Sequence, residues 1–325
     1  MRIEQSVLDW LLEEENPSVR YRTLTELLGR KPDDPEAMQA KALIPSSKPV
    51  KRIFSKMDPA GYWPHFDKRK NRGVWVGHGV VYRDYVTTHF NLAFLAELGM
   101  DREDERVSRA VERYLSLQKP DGDFMDHYSC LYAYNLRTFI MMGYRDDARI
   151  QKIVDLMVGT ERYDGGYLCD QHEGEHEDRP TKSCIRGSLK ALTAFAALPE
   201  LWNSPRCEEL VSYFLKRRVC FRMKRPDKPV VWDICNTIFP FVWMASLLEA
   251  LYALSILGYG KRRELTEAWE LLESKKDEGG RYILVWTPSR RYSYFQPGKR
   301  GEANKWITLY AYLALQYRDS SPNRH

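Results

Sequence analysis

The stretch Ser116-Leu117-Gln118-Lys119-Pro120-Asp121-Gly122-Asp123-Phe124 decides how the chain folds. It closes the segment EDERVSRAVERYLSL (103–117), whose apolar positions Val107, Val111, Tyr114 and Leu115 form one stripe, the mark of an amphipathic helix. The chain then turns on Pro-Asp-Gly. Asp favours a tight turn, and Gly tolerates the positive φ that such a turn often needs. An aromatic residue ends the turn, placed to pack back on the helix. The same device recurs in DPAGYW (58–63), RYDGGY (162–167) and KDEGGRY (276–282). Each follows an amphipathic segment and is followed by a loop and a more apolar segment, so the chain is an internal repeat.

Laid out by this rule, the sequence predicts six helical hairpins. The more charged, outer helices fall near 4–14, 49–57, 103–118, 146–158, 204–218 and 262–274. The more apolar, inner ones fall near 17–30, 82–99, 127–143, 182–197, 241–258 and 304–317. Segment 33–43 adds a short helix, and YILVW (282–286) is the best candidate for a β piece. LLEALYALSIL (247–257) is apolar almost all round, as suits a helix with partners on every side. Six alternating pairs predict an all-α fold, an (α/α)6 barrel or toroid, with residues 1–325 as one domain. The connections 64–81, 168–181, 219–240 and 283–303 are long and emerge on the face where the inner helices begin. Long loops on a rigid scaffold tend to carry function, so that mouth is the expected pocket.

The repeated Asp-Gly-aromatic turns resemble the QW motifs of squalene-hopene cyclases, and SLQKPDGDF (116–124) keeps the Gln as well as the turn. The chain is thus similar to the terpenoid cyclase and protein prenyltransferase superfamily. That resemblance implies an isoprenoid-processing enzyme with an anionic-headed, partly apolar substrate in the barrel mouth. Class II cyclases carry Asp-x-Asp-Asp-Thr. The matching stretch is Asp233-Ile234-Cys235-Asn236-Thr237, in which Asp233 becomes the implied acid and Cys235 stands where the family has its proton donor. Prenyltransferases hold zinc with an Asp-x-Cys pair and a later His. Asp233 and Cys235 have that spacing, but Lys305-Trp306 stands where the His would be.

Other residues gather on the same predicted face. A second set of zinc ligands is Cys169, His172, His176 and Cys184, within 16 residues, soft or borderline donors that suit tetrahedral zinc. Cys130 and Cys184 each precede an inner helix and could both face the mouth, where with Cys169 and a His they form another possible metal set. Three loops are basic: FDKRKNR (66–72), CFRMKRPDK (220–228) and SRRYSYFQPGKRGEANK (289–305). Cations beside aromatics suit a diphosphate, carboxylate or sulfate joined to a larger body. Arg290 and Lys305, with Trp75, Tyr82, Tyr128, Trp232, Trp243 and Trp306, are therefore expected to bind substrate. His89 and Asp84, in DYVTTHF (84–90), and His127 are expected acid–base groups.

Composition narrows the classes. With 50 Lys+Arg against 45 Asp+Glu the formal charge is +5, too small an excess to indicate a nucleic-acid partner. No apolar run is long enough for a membrane span. The opening MRIEQSVLDWLLEEENPSVRY reads as an amphipathic helix and lacks a secretory core, so a cytoplasmic protein with reduced cysteines is expected. No P-loop, dinucleotide fingerprint or nucleophile elbow occurs. Two other readings share the fold class. One is a carbohydrate-active α/α barrel, such as a polysaccharide lyase or hydrolase, marked by an open groove rather than a closed apolar pocket. The other is a non-catalytic binding or scaffold protein.

Overall fold

The computed structural model describes residues 3–66, 75–76, 86–125, 127–175, 179–288 and 293–320. Its helices run in hairpin order. They are α1 (Gln5–Leu11) and α2 (Pro17–Arg22, continued by a π-helical turn at Thr23–Leu27), the extra α3 (Pro35–Leu43), then α4 (Lys48–Phe54) and α5 (Thr88–Glu97). There follow α6 (Glu105–Leu115) with α7 (Ser129–Met141), α8 (Ala148–Gly159) with α9 (Ile185–Ala196), α10 (Pro205–Leu215) with α11 (Leu247–Ile256), and α12 (Thr266–Glu273) with α13 (Lys305–Ser320). Three short 3-10 turns (Asp170–His172, Pro199–Leu201 and Arg263–Leu265) and two antiparallel ribbons accompany them: β1 (His65–Phe66) with β2 (Trp75–Val76), and β3 (Phe221–Arg222) with β4 (Arg225–Pro229).

The inner helices touch in sequence, α5 to α7 to α9 to α11 to α13, and α13 packs on α2 and its π-helical turn. Arg22 on α2 reaches Glu97 on α5 and closes the circle. This is the all-α toroid expected from the repeat. Inner helices are buried all round, with α5, α9 and α11 showing almost no exposed residue. Outer helices bury one stripe; in α6 it is Val107, Ala110, Val111, Tyr114 and Leu115.

Helix starts follow local chemistry. The outer helices α6, α8 and α10 are capped by Asp104, Asp147 and Ser204, whose side chains accept from Arg106 N, Arg149 N and Cys207 N. Ahead of α7, α9 and α11 stand Tyr128, Cys184 and Ser246, whose side chains make no cap bond. These inner-helix N-termini point to one pole, the mouth.

The repeated turns hold the ring together. Trp63, Phe124, Tyr167 and Tyr282 are all buried. Trp63 N, Tyr167 N and Tyr282 N donate to Thr88 Oγ1, Ser188 Oγ and Thr308 Oγ1 on the inner helix that follows, at 2.9–3.0 Å. Trp63 Nε1 and the Tyr167 hydroxyl donate back to Ile53 O and Met157 O on the outer helix just completed. Each turn also presses on the next outer helix. Gly122, at φ +96°, lies so close to Lys152 O on α8 that a Cβ would come within 2.6 Å, so no side chain fits there without displacing backbone. Gly61 meets Arg109 on α6, Gly165 meets Glu209 on α10, and Gly280 meets Val7 on α1, which brings the last hairpin round to the first.

Two sequence expectations are corrected. The fifth inner helix begins at Leu247, not 241: residues 234–246 are irregular and dive into the barrel. The 219–240 connection also contains the β3–β4 ribbon, which went unread. YILVW forms isolated bridges rather than a strand, pairing Ile283 with Ala303 and Trp286 with Ile238. No helix among the described residues is long and apolar enough to cross a membrane.

Candidate functional site

The mouth is built on the 233–246 segment. Asp233 is fully buried. Its Oδ2 and Oδ1 accept from Arg186 Nε at 2.7 Å and Nη2 at 2.9 Å, and Oδ2 also accepts from Ala245 N at 2.9 Å. Arg186 rises from the first turn of α9, and its guanidinium lies over the Trp243 ring at 5.4 Å. With both oxygens engaged, the Asp233 carboxylate acts here as the anchor of the segment and the partner of Arg186. Thr237 and Ser246 fix the rest: Thr237 O accepts from Val285 N, and Ser246 Oγ accepts from Ile238 N.

The apolar residues of this segment fill the barrel. Phe239 stacks on Trp306 at 5.1 Å, Phe241 meets Tyr310 at 4.7 Å, and Phe295 packs on Phe94 at 5.6 Å. The interior that the aromatics were expected to line for a substrate is thus occupied at these positions by their own rings. Beneath lies a buried charge network. Glu97 accepts from Arg137 Nη1 at 2.5 Å, from Arg22 Nη1 at 3.4 Å and from the Tyr310 hydroxyl. Burial alone would raise Glu97, but the two guanidiniums outweigh it and hold the carboxyl below its usual range. Lys190 Nζ donates to both oxygens of Glu249, at 2.7 and 2.5 Å, in a pair with no solvent contact. Burial dominates here, lowering Lys190 and raising Glu249 to about 7.

An arc of polar groups borders the mouth at α5, α7 and α9. Cys169 and Cys130 lie with sulfurs 3.6 Å apart, and Ser129 Oγ is 3.7 Å from the Cys169 sulfur. The Cys130 thiol, then the Ser129 hydroxyl and the first backbone N–H groups of α7, favour the Cys169 thiolate. They bring it down to about 6 against the opposing effect of burial. Cys184 is pushed up, chiefly by burial. The Tyr128 hydroxyl donates to Gln171. His127 has a left-handed backbone, with its N–H donating to Asp123 Oδ2 at 2.6 Å. His89 is buried, with Nδ1 hydrogen-bonded to the Tyr134 hydroxyl and its ring 4.4 Å from that of Phe90.

Beside this arc runs an open groove of about 640 Å³, between the loops at 163–164 and 182–183, the end of α10 and the β3–β4 ribbon. Lys182, Arg217, Arg222, Lys224 and Arg225 line it, together with Tyr163, which is 64% exposed. Most of the groove's exposed lining is nevertheless apolar, with Met223, 59% exposed, and Val230 contributing to it. Arg217 is held over the Tyr213 ring at 3.6 Å and donates to Tyr213 O at 2.8 Å. Asp164 is the groove's carboxylate, and it accepts from Ser183 N at 3.1 Å.

The expected residues therefore separate. Asp233, Trp243, Cys169, Cys184, His127, Tyr128 and His89 do border the mouth. Trp306 is buried under Phe239. Lys305 turns away to Glu13 Oε2 at 2.5 Å. Trp232 is 53% exposed. His172 is turned to Glu175 Oε1 at 2.7 Å, and among the described residues no group of three or more His, Cys, Asp or Glu side chains converges as a metal site. Asp84, Tyr82, Arg290, His176 and the side chain of Trp75 lie outside the described residues. Reading the sequence missed Arg186, Lys190, Glu249, Glu97 and Arg137. Glu97, Arg137 and Glu249 are single charges in otherwise apolar inner helices, and Arg186 and Lys190 share α9; that was the available signal.

No family model matches the chain, and no curated protein matches it. Solved structures do. A glycosyl hydrolase of family 88 from Bacteroides vulgatus is 14% identical, with 94% of this chain and 90% of that one covered and a TM-score of 0.47. A polysaccharide lyase is 12% identical over 97% and 92%, with a TM-score of 0.46. The type II terpene cyclase MstE from Scytonema is 13% identical over 82% and 94%, with a TM-score of 0.30. Likenesses this remote bear on neither substrate nor reaction.

Proposed function

We propose that this chain binds an acidic, ring-bearing carbohydrate, a uronate or sulfated oligosaccharide, in the groove beside the mouth. The observation that carries the reading is the groove itself: Lys182, Arg222, Lys224 and Arg225 with an exposed Tyr163 along a half-open channel, in which Arg217 is already paired with Asp164 at 3.8 Å. The cations would pair with carboxylates or sulfates along the polymer, and the Tyr163 ring would lie against a sugar face. The packing of Phe239, Phe241, Trp306 and Tyr310 occupies the axis where a hydrocarbon tail was expected. Within this reading Asp233 positions Arg186 and the 233–246 segment, and His127 is the acid–base candidate with an exposed ring.

The isoprenoid reading keeps one specific observation in its favour. Met223 and Val230 give the groove an apolar side on which a short prenyl chain could lie, with its diphosphate on Arg222 and Arg225. Calorimetric titration separates the two. Oligogalacturonate and a sulfated oligosaccharide should bind, and a neutral oligosaccharide of equal length should not. R222A/K224A/R225A should weaken binding about 10–100-fold. Binding of a prenyl diphosphate with none of the acidic glycans would replace this reading with the isoprenoid one. No binding of either class would leave the scaffold reading.

A further inference from the structure

The groove leaves one constellation at the mouth unused. Cys130 is the second residue of α7, and Cys169 comes from the loop after the RYDGGY turn, 39 residues later. The fold brings their sulfurs to 3.6 Å. A disulfide needs about 2.05 Å, so closure asks for a side-chain movement of about 1.5 Å. Both side chains are buried, so a small oxidant fits the site better than a protein partner. The Cys169 sulfur lies against the first turn of α7, where the Ser129 and Cys130 backbone N–H groups favour a negative sulfur.

We propose that Cys169 and Cys130 form a two-cysteine oxidation site that reacts with a small hydroperoxide. Cys169 sulfur attacks one peroxide oxygen, the O–O bond breaks, and the other oxygen leaves as water or alcohol after taking a proton. Cys169 is then a sulfenic acid. Cys130 sulfur attacks it, the S–S bond forms, and the hydroxyl departs with the Cys130 proton as water. In sum the two thiols give up two electrons and two hydrogens, and one hydroperoxide becomes one alcohol and one water. Cys169 is assigned the attacking role because its environment favours the thiolate, with the thiol down at about 6. Cys184, close by, is pushed the other way by burial. The rival is the pair Cys220 and Cys235, also in contact, in which the Cys220 thiol donates to Ile234 O at 3.5 Å.

Treating the reduced, full-length protein with a small excess of hydrogen peroxide tests this without any variant. Two of the six thiols should disappear, the intact mass should fall by about 2 Da, and peptide mapping should join Cys130 to Cys169. Dithiothreitol should reverse the change. C130S should stop at a sulfenic acid on Cys169, trapped by dimedone, and C235S should behave as the parent does. A disulfide mapped to Cys220–Cys235 or to any other pair, or six thiols surviving, would overturn the proposal.

Discussion

On the axis of the ring every charge has a built-in partner: Glu97 takes Arg22, Arg137 and Tyr310, and Lys190 takes Glu249. At the rim, Lys182, Arg222, Lys224 and Arg225 line an open channel, with Asp164 held by the Ser183 backbone. The residue types are the same and the consequences differ. A buried charge without its partner costs several kcal/mol, so axial charges come matched. A solvated cation costs little and remains available to a ligand. Apart from Arg217, which pairs with Asp164 at 3.8 Å, the rim cations are unmatched, and there, not in the charged interior, an external anion is expected.

The sharpest way to break this contrast is Lys190→Met, which strands the Glu249 carboxylate. Urea denaturation should show a loss of about 3–5 kcal/mol. K190M/E249M should regain most of it, because a matched apolar pair replaces a matched ionic one. A loss under ~1 kcal/mol in the single variant would mean that the axis tolerates unmatched charge as the rim does.

The pH dependence sharpens the same point. Burial raises Glu249 to about 7 in the folded chain from an ordinary 4.5. The folded state therefore binds this proton more tightly than the unfolded state does. The associated stability is full below pH 4.5 and is lost as pH rises through about 7. Measured against K190M/E249M, which lacks the pair, stability of the parent should fall by at most ~3 kcal/mol across that window. A difference that rises with pH would reverse the assignment. The smallest expected effect is at the rim: R222A/K224A/R225A should change unfolding stability by only about 0.5 kcal/mol, while abolishing most anion binding. A large loss of stability would show those cations to be structural.

The turns were legible because their chemistry is local: Asp, Gly and an aromatic within six residues fix a bend whatever surrounds it. The hairpins followed, since the helical period repeats between the turns. The fifth inner helix was misplaced for an equally physical reason. PFVWMA (240–245) is as apolar as a buried helix, yet its burial comes from irregular backbone pinned by Asp233, Thr237 and Ser246. Hydrophobicity reports burial and not conformation. Half of the groove was visible in CFRMKRPDK; Tyr163 and Arg217 joined it only through tertiary packing. The Cys130–Cys169 contact bridges two hairpins; the sequence suggested both at the mouth as parts of a possible metal set, and only the fold shows the two sulfurs touching.

The glycine turns at 61, 122, 165 and 280 each lean on the outer helix of the following hairpin. At these four of the six junctions the hoop is thus fastened like overlapping shingles, a unit pinned by the one before it. Among the described residues the α10-to-α12 junction has no such glycine, and joins instead through Arg218 and Glu267 at 2.7 Å, both partly exposed. That junction also carries the β3–β4 ribbon and the groove. A water-exposed fastening thus lies beside the channel, at a junction that lacks the close glycine contact of its neighbours.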